Sequence, residues 1–289
     1  MTKTSKPLQC YNNGNPLPKV FPTVAPVIKT SDAKSSTTLL LGDCLEKMKG
    51  ISDKSVDLII CDLPFGCLAV QGTTSKMYTN KGESQNGCSW DIKIDLELFW
   101  KEIKRIRKND HTPCLMFCTT RYGYELIKSN EKEFRYDLVW DKQRGVSFLS
   151  ANKMPMRSHE MIYVFSKAGA KYNRIDIKGD FKAVSGGCKP GNVYGGAIPT
   201  NKIPSNEGKR CILSVINSIN TAGKGKHPTE KPLDLYKFLI ERYSDVGDTV
   251  LDPTFGSCNS GLACIELKRK YVGIEKDNTF FWKAVNKIV

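Results

Sequence analysis

The chain has 289 residues, 40% of them hydrophobic, enough to bury a full core as one large domain with insertions or as two small ones. A formal net charge of +14 and a pI near 9.2 point to a polyanionic partner, nucleic acid before a membrane surface. Eleven cysteines without a Cys-x-x-Cys pair or zinc spacing argue against a disulfide framework and a metal site, and neither an apolar signal core nor a bilayer-length span occurs, so a soluble cytoplasmic or nuclear protein with reduced thiols is expected.

Residues 1–36 are rich in Pro, Lys, Ser and Thr, and Pro16, Pro18, Pro22 and Pro26 predict a flexible extended arm. The remaining residues, 37–289, read as one folded domain. Thr38–Leu41 is a short apolar strand, after which Asp43 can N-cap a helix running to Lys49. Val56–Cys61 reads as a buried strand, and it runs directly into Asp62-Leu63-Pro64-Phe65-Gly66. An acid, a Pro-fixed turn and an aromatic at the exposed end of a strand make a small clamp for a flat base bearing an amino group.

Residues 67–90, including Trp90, are polar and Gly-rich and predict a long loop able to close over that clamp. Asp95–Arg107 carries Leu96, Phe99, Ile103 and Ile106 at helical spacing. The run Lys104, Arg105, Arg107 and Lys108 reads as a solvated face that could also touch phosphates. Pro113–Cys118 reads as a strand and Tyr122–Ser129 as a helix. Tyr136–Trp140 and Glu160–Ser166 read as strands flanking a basic loop, with His159-Glu160 a structural pair at a strand start. From about 170 to 226, ten basic residues stand against three acids, half of the chain's excess charge. That concentration predicts a nucleic-acid-facing insertion.

Regular structure resumes with a helix over Pro232–Tyr243, then strand Thr249–Leu251, helix Ser260–Lys268, strand Tyr271–Glu275 and helix Asn278–Ile288. Alternating strands and helices predict an α/β fold with a doubly wound, mostly parallel sheet, whose ligands bind beyond the carboxyl ends of the strands. Asp252-Pro253-Thr254-Phe255-Gly256-Ser257 ends one such strand and opens a helix. Gly256 lets backbone approach a ligand closely, and the helix start offers N–H groups to a carboxylate. Glu275 ends the next strand, where an acid can accept both hydroxyls of a ribose.

Five segments in order carry a resemblance. Gly42-Asp43-Cys44-Leu45, Ser55 to Phe65, His227-Pro228-Thr229-Glu230-Lys231-Pro232, Leu251 to Ser257, and Val272-Gly273-Ile274-Glu275 together resemble the β-class DNA amino-methyltransferases. These transfer a methyl group from S-adenosylmethionine to the exocyclic amine of adenine or cytosine. The resemblance covers about 38–289 and implies a circularly permuted Rossmann-like sheet, with the target-recognition region inside 141–226. It implies catalysis by Asp62, Leu63, Pro64 and Phe65. It implies cofactor binding by Asp43 and Cys44, by Thr229 and Lys231, by Asp252, Thr254, Phe255, Gly256 and Ser257, and by Glu275.

Three positions depart from the family pattern. Leu63 replaces a Pro, Phe65 a Tyr, and Cys258 stands where the family usually has Gly, which puts the cofactor turn in question. The implied partner is double-stranded DNA, with a homodimer or a cognate restriction endonuclease as further partners. The acid at position 62 leans towards adenine N6. Cytosine N4 methylation and a catalytically inactive nucleic-acid-binding paralogue remain the alternatives.

Overall fold

The computed structural model describes residues 27–32, 35–66, 91–146, 148, 151–178, 209–218 and 230–288. In chain order these form β1 (Val27–Asp32), β2 (Ser35–Leu41), α1 (Cys44–Met48), β3 (Leu58–Cys61), α2 (Leu96–Ile106), β4 (Cys114–Cys118), α3 (Thr120–Ser129), β5 (Phe134–Val146), β6 (Arg157–Phe165), β7 (Ile177–Lys178), β8 (Lys209–Arg210), β9 (Val215–Asn217), α4 (Leu233–Tyr243), β10 (Thr249–Asp252), α5 (Asn259–Glu266), β11 (Lys270–Glu275) and α6 (Asn278–Ile288).

β3 and β4 are the two strands buried at every position, which is what unbroken apolar runs give in the middle of a parallel sheet covered on both faces. Nine strands lie in the order β1-β2-β11-β10-β3-β4-β6-β5-β9. The five from β2 to β4 run parallel, and β6 turns against β4. β7 and β8 pair separately.

Successive side chains of a strand point to opposite faces, and the two cores follow that alternation. Leu58, Ile60, Leu115, Phe117, Ile162 and Val164 pack with α4, α5 and α6. Ile59, Cys61, Met116, Tyr163 and Phe165 pack with α1, α2 and α3. The sheet is therefore the middle of three layers. Helix starts follow their caps: Asp43 accepts from Leu45 N, Asp95 from Glu97 N and Leu98 N, and Thr119 from Tyr122 N.

The structure differs from the sequence reading at the N-terminal edge, in the length of β5 and β6, and within 170–226, where β9 joins the main sheet beside β5. Val27–Asp32, inside the expected arm, pairs antiparallel with β2 as an edge strand, while residues 1–26 lie outside the described residues. β5 and β6 extend past their apolar runs to Val146 and back to Arg157, so part of the expected basic loop is paired backbone. Polar residues on a strand extension carry no hydrophobic period, so they leave no pattern to read. The basic run at the end of α2 keeps Lys104 and Lys108 exposed, as a solvated face would, and adds ion pairs of Arg105 with Asp53 and Glu102, Arg107 with Glu133, and Lys108 with Asp57. The loop 67–90 lies outside the described residues.

Gly123 of α3 sits against the Tyr163 ring, where an added Cβ would lie 2.6 Å from a ring carbon. Gly123→Ala should therefore cost about 1–3 kcal/mol through overpacking. Urea unfolding of the variant beside wild type measures it; an unchanged midpoint would mean that α3 shifts freely on the sheet.

Candidate active site

Because β2, β11, β10 and β3 are parallel neighbours, their carboxyl ends share one edge. That edge gathers Asp43, Glu275, the 252–257 turn and Asp62. β6 runs the other way and enters at the same edge, pairing Met161 with Cys118, so Glu160 stands just beyond the end of β4.

The two turns are joined directly: Thr254 Oγ1 donates to the Asp62 carbonyl at 3.1 Å. Asp252 organises its own turn. Its Oδ1 accepts from Thr254 N at 3.0 Å and its Oδ2 from Ser260 Oγ at 2.6 Å. Ser260 Oγ in turn lies 2.8 Å from the Tyr271 hydroxyl. Burial pushes the Asp252 carboxyl up to about 7, although the bonds from Ser260 and Thr254 pull it down.

Gly256 takes a left-handed backbone at φ +50° and donates its N–H to Glu275 Oε2 at 2.9 Å; Asp277 N donates to Oε1 at 2.7 Å. Burial raises the Glu275 carboxyl against these two bonds. Cys258 also takes a left-handed backbone, at φ +59°. For a residue with a Cβ this costs about 1–2 kcal/mol, which is the physical reason for glycine there. The turn keeps its form nonetheless: Cys258 N donates to Phe255 O at 2.8 Å, and the buried thiol lies 3.8 Å from the Tyr271 hydroxyl.

A cleft of about 1180 Å³ opens onto this turn, with Gly256, Ser257, Asn259, Glu230 and Pro232 in its wall. α5 starts beside it without a side-chain cap. Asp43 and Glu275 stand at neighbouring strand ends outside that cleft's wall, while the partly open Gly256 and Ser257 and the uncapped helix start face it, and together these groups suit a ligand that combines a ribose with a carboxylate. S-adenosylmethionine is such a ligand.

The Asp62 side chain is 19% exposed, and its Oδ2 is 2.5 Å from Lys231 Nζ. Lys231 is buried over the Phe117 ring and also lies 3.3 Å from Glu160 Oε2. Glu160 Oε1 pairs with Lys142. Burial raises the Asp62 carboxyl, Lys231 opposes that, and Glu160 reinforces it. Burial acts on Lys231 too, but Asp62 and Glu160 outweigh it and hold its ammonium above the ordinary lysine range. Beside this cluster the Phe65 ring packs 5.2 Å from Tyr122, and Gly66 N donates to Asp91 Oδ1 at 2.8 Å.

The expected residues thus divide by what their side chains touch. Asp43, Asp62, Phe65, Ser257 and Glu275 are at least partly open at the shared edge. Leu63, Cys44 and Phe255 point into the cores, so only their backbone can face a ligand. Lys231, expected at the cofactor, reaches the acid instead. Thr229 lies outside the described residues.

Sequence reasoning missed Lys142, and it read Glu160 as a structural pair. A signal for both was present. Glu160 shares its face with Ile162 and Val164, and Lys142 shares its face with Leu138 and Trp140, so each is a charge in a core register.

A family model for N6/N4 methyltransferases, described as DNA methylase, matches residues 56–286. The Type II methyltransferase M.HinfI of Haemophilus influenzae is 28% identical over 265 residues, spanning 87% of this chain and 68% of that protein. The DNA adenine methyltransferase YhdJ of Escherichia coli (strain K12) is 25% identical over 276 residues, 90% of this chain and 85% of that one. Among solved structures, the cytosine-N4-specific PvuII DNA methyltransferase superposes with a TM-score of 0.59 at 15% identity, covering 88% of this chain and 86% of that one. The M1.HpyAVI–SAM complex gives 0.54 at 21% identity, covering 86% and 97%. At these identities the structural likeness speaks for the fold.

Two outcomes test the site as a folded unit. Lys231→Met leaves Asp62 and Glu160 buried without their shared cation and should cost about 3–5 kcal/mol in denaturant unfolding; a loss below about 1 kcal/mol would mean that water replaces the ammonium. Asp252 tests the turn by pH. Its folded value near 7 lies above the ordinary 3.8, so its contribution is full below that lower value and is lost as pH rises through 7. The stability of wild type minus that of Asp252→Asn should therefore fall between about pH 4 and pH 7; a flat difference would mean Asp252 is not buried.

Proposed function

This chain belongs to the N6/N4 family of DNA methylases, and we propose that within it the chain methylates the N6 amine of adenine in a base flipped out of duplex DNA. S-adenosylmethionine is the family's methyl donor, and when bound it supplies a methyl group on a sulfonium sulfur. The observation that carries the reading is an accessible carboxylate, Asp62, tied through its own carbonyl to the turn that would hold the donor.

An exocyclic amine is a weak nucleophile because its lone pair is delocalised into the ring. Asp62 would accept one amine hydrogen and the Leu63 carbonyl the other, favouring a nitrogen whose lone pair points out of the plane. The lone pair forms the new N–C bond, the electrons of the S–C bond remain on sulfur, and nitrogen becomes cationic. Hydrogen bonds to Asp62 strengthen as that charge builds, so they favour the transition state over the ground state. One N–H proton then leaves, with Asp62 as its first acceptor. Pro64 fixes the turn and Phe65 would stack on the base. Extruding the base costs a few kcal/mol of pairing and stacking.

On the donor side, Glu275 is assigned to the ribose hydroxyls and Asp43 to the adenine. Asp252, Thr254, Phe255, Gly256 and Ser257 would shape the turn around the remainder, with Thr229 beside them and Cys44 contributing backbone. The chain's last two strands lie between β2 and β3, the order that a circular permutation would give. The basic stretch inside 141–226 is assigned to DNA contact; of the expected arm over 1–36, Val27–Asp32 and the start of β2 belong to the sheet instead. A cognate restriction endonuclease and a homodimer are the further partners this reading brings with it.

Cytosine N4 is the second reading, because the matched family spans both N6 and N4 methylases. Purified protein incubated with unmethylated duplex DNA and labelled S-adenosylmethionine decides between them after digestion to nucleosides. N6-methyladenine is expected, reduced by at least about 100-fold in Asp62→Ala. N4-methylcytosine would install the second reading, and an unaffected Asp62→Ala would remove Asp62 from catalysis.

A further inference from the structure

Two charges, the buried Lys142 and the largely buried Glu160, extend the cluster beyond Lys231, three and two ion pairs from Asp62. The chain runs Asp62, Lys231, Glu160, Lys142, and its four segments come from β3, the approach to α4, β6 and β5. Among these four formal charges the sum is zero. Replacing a buried ion pair by apolar side chains of similar volume is often neutral or stabilising, so stability gives little reason for charges at two core-register positions.

The reaction gives a reason. As the N–C bond forms, the amine nitrogen becomes cationic, and a bare Lys231 ammonium 2.5 Å from Asp62 Oδ2 would cancel the carboxylate's field at that nitrogen. Glu160 supplies the opposing charge on the far side of Lys231, and Lys142 fixes the Glu160 carboxylate by its other oxygen. We propose that Glu160, fixed by Lys142, is a positioning residue that acts through Lys231 to keep the Asp62 carboxylate in place and effective as the acceptor during methyl transfer. The inference rests on Asp62 being the catalytic acceptor.

The groups facing Asp62 come from several elements: Lys231 before α4, Glu160 of β6, Lys142 of β5, Asp252 of β10, Tyr236 of α4, Tyr122 of α3, and the Cys61 and Cys118 thiols. Burial holds the phenols and thiols well above their ordinary values, so they stay neutral across the working range. Asp252 titrates near 7 but belongs equally to every variant below. Glu160 raises the Asp62 carboxyl and Lys142 lowers it, so their removal should move the acid limb in opposite directions.

The test is the single-turnover rate of methyl transfer, which excludes product release, followed across the acid limb at saturating DNA and S-adenosylmethionine. Glu160→Gln should slow transfer by about 10–100-fold, leave both affinities within about threefold, and move the acid limb to lower pH. Lys142→Met should move the limb to higher pH, and Glu160→Asp should restore most of the rate. Folded variants with lower melting temperatures but an unmoved limb and rate would overturn the proposal, leaving these residues a purely structural role. Should Glu160→Gln not fold, Lys142→Met and Glu160→Asp decide by the same criterion. An active wild type beside an inactive Asp62→Ala separates this outcome from failure of the methyl-transfer reading, which would show as no transfer by the wild type.

Discussion

A single buried ammonium holds the site together. Lys231 joins Asp62 at the end of β3 to Glu160 on β6, segments separated by about a hundred residues of chain. Its cost is desolvation, which the Asp62 and Glu160 carboxylates offset. Without it, two acids would face each other across a nearly dry site, and one of them would take up a proton. The state of Asp62 at neutral pH thus depends on a residue 169 positions away in the sequence.

The sheet makes this arrangement available. Parallel strands deliver their carboxyl ends to one edge, and the turns leaving that edge are short enough to touch, as Thr254 does Asp62. The antiparallel β6 adds what the parallel strands cannot: it brings residues at its start to the edge where the others finish. Asp62, the 252–257 turn and the charges around Asp62 therefore share one rim, with an apolar layer on either side of the sheet beneath it.

The donor turn shows how much strain such a rim tolerates. Gly256 accepts its left-handed backbone freely, whereas Cys258 adopts one at a cost and is buried against Tyr271. Asp252 is neutralised in part by burial and satisfied by Ser260 and Thr254, so it acts on the shape of the turn more than on its charge. This puts one of the sequence's departures from the expected pattern in physical terms: the Cys at 258 costs backbone energy without dissolving the turn.

Much of this was legible in the sequence, for physical reasons. Short apolar runs bounded by turn residues favour buried strands, which made β3 and β4 readable, and the alternation of strands with helices made the parallel sheet readable. The cap at Asp43, the bounds of α6 and the order of the five family segments were readable because capping, periodicity and motif spacing are local. The start at Val27 was not, because an edge strand is fixed by its partner β2 and not by its own composition. Nor was the fate of the basic run after α2, since ion pairs with Asp53, Asp57 and Glu133 need the folded chain. By itself the sequence determined the fold class, the family and the acid at the head of the catalytic turn, all carried by residues close together in the chain. Only the tertiary structure decided which charges surround that acid, because Lys142, Glu160 and Lys231 meet Asp62 through sheet order and strand direction, and a charge in a core register of one strand does not tell which distant residue it will face.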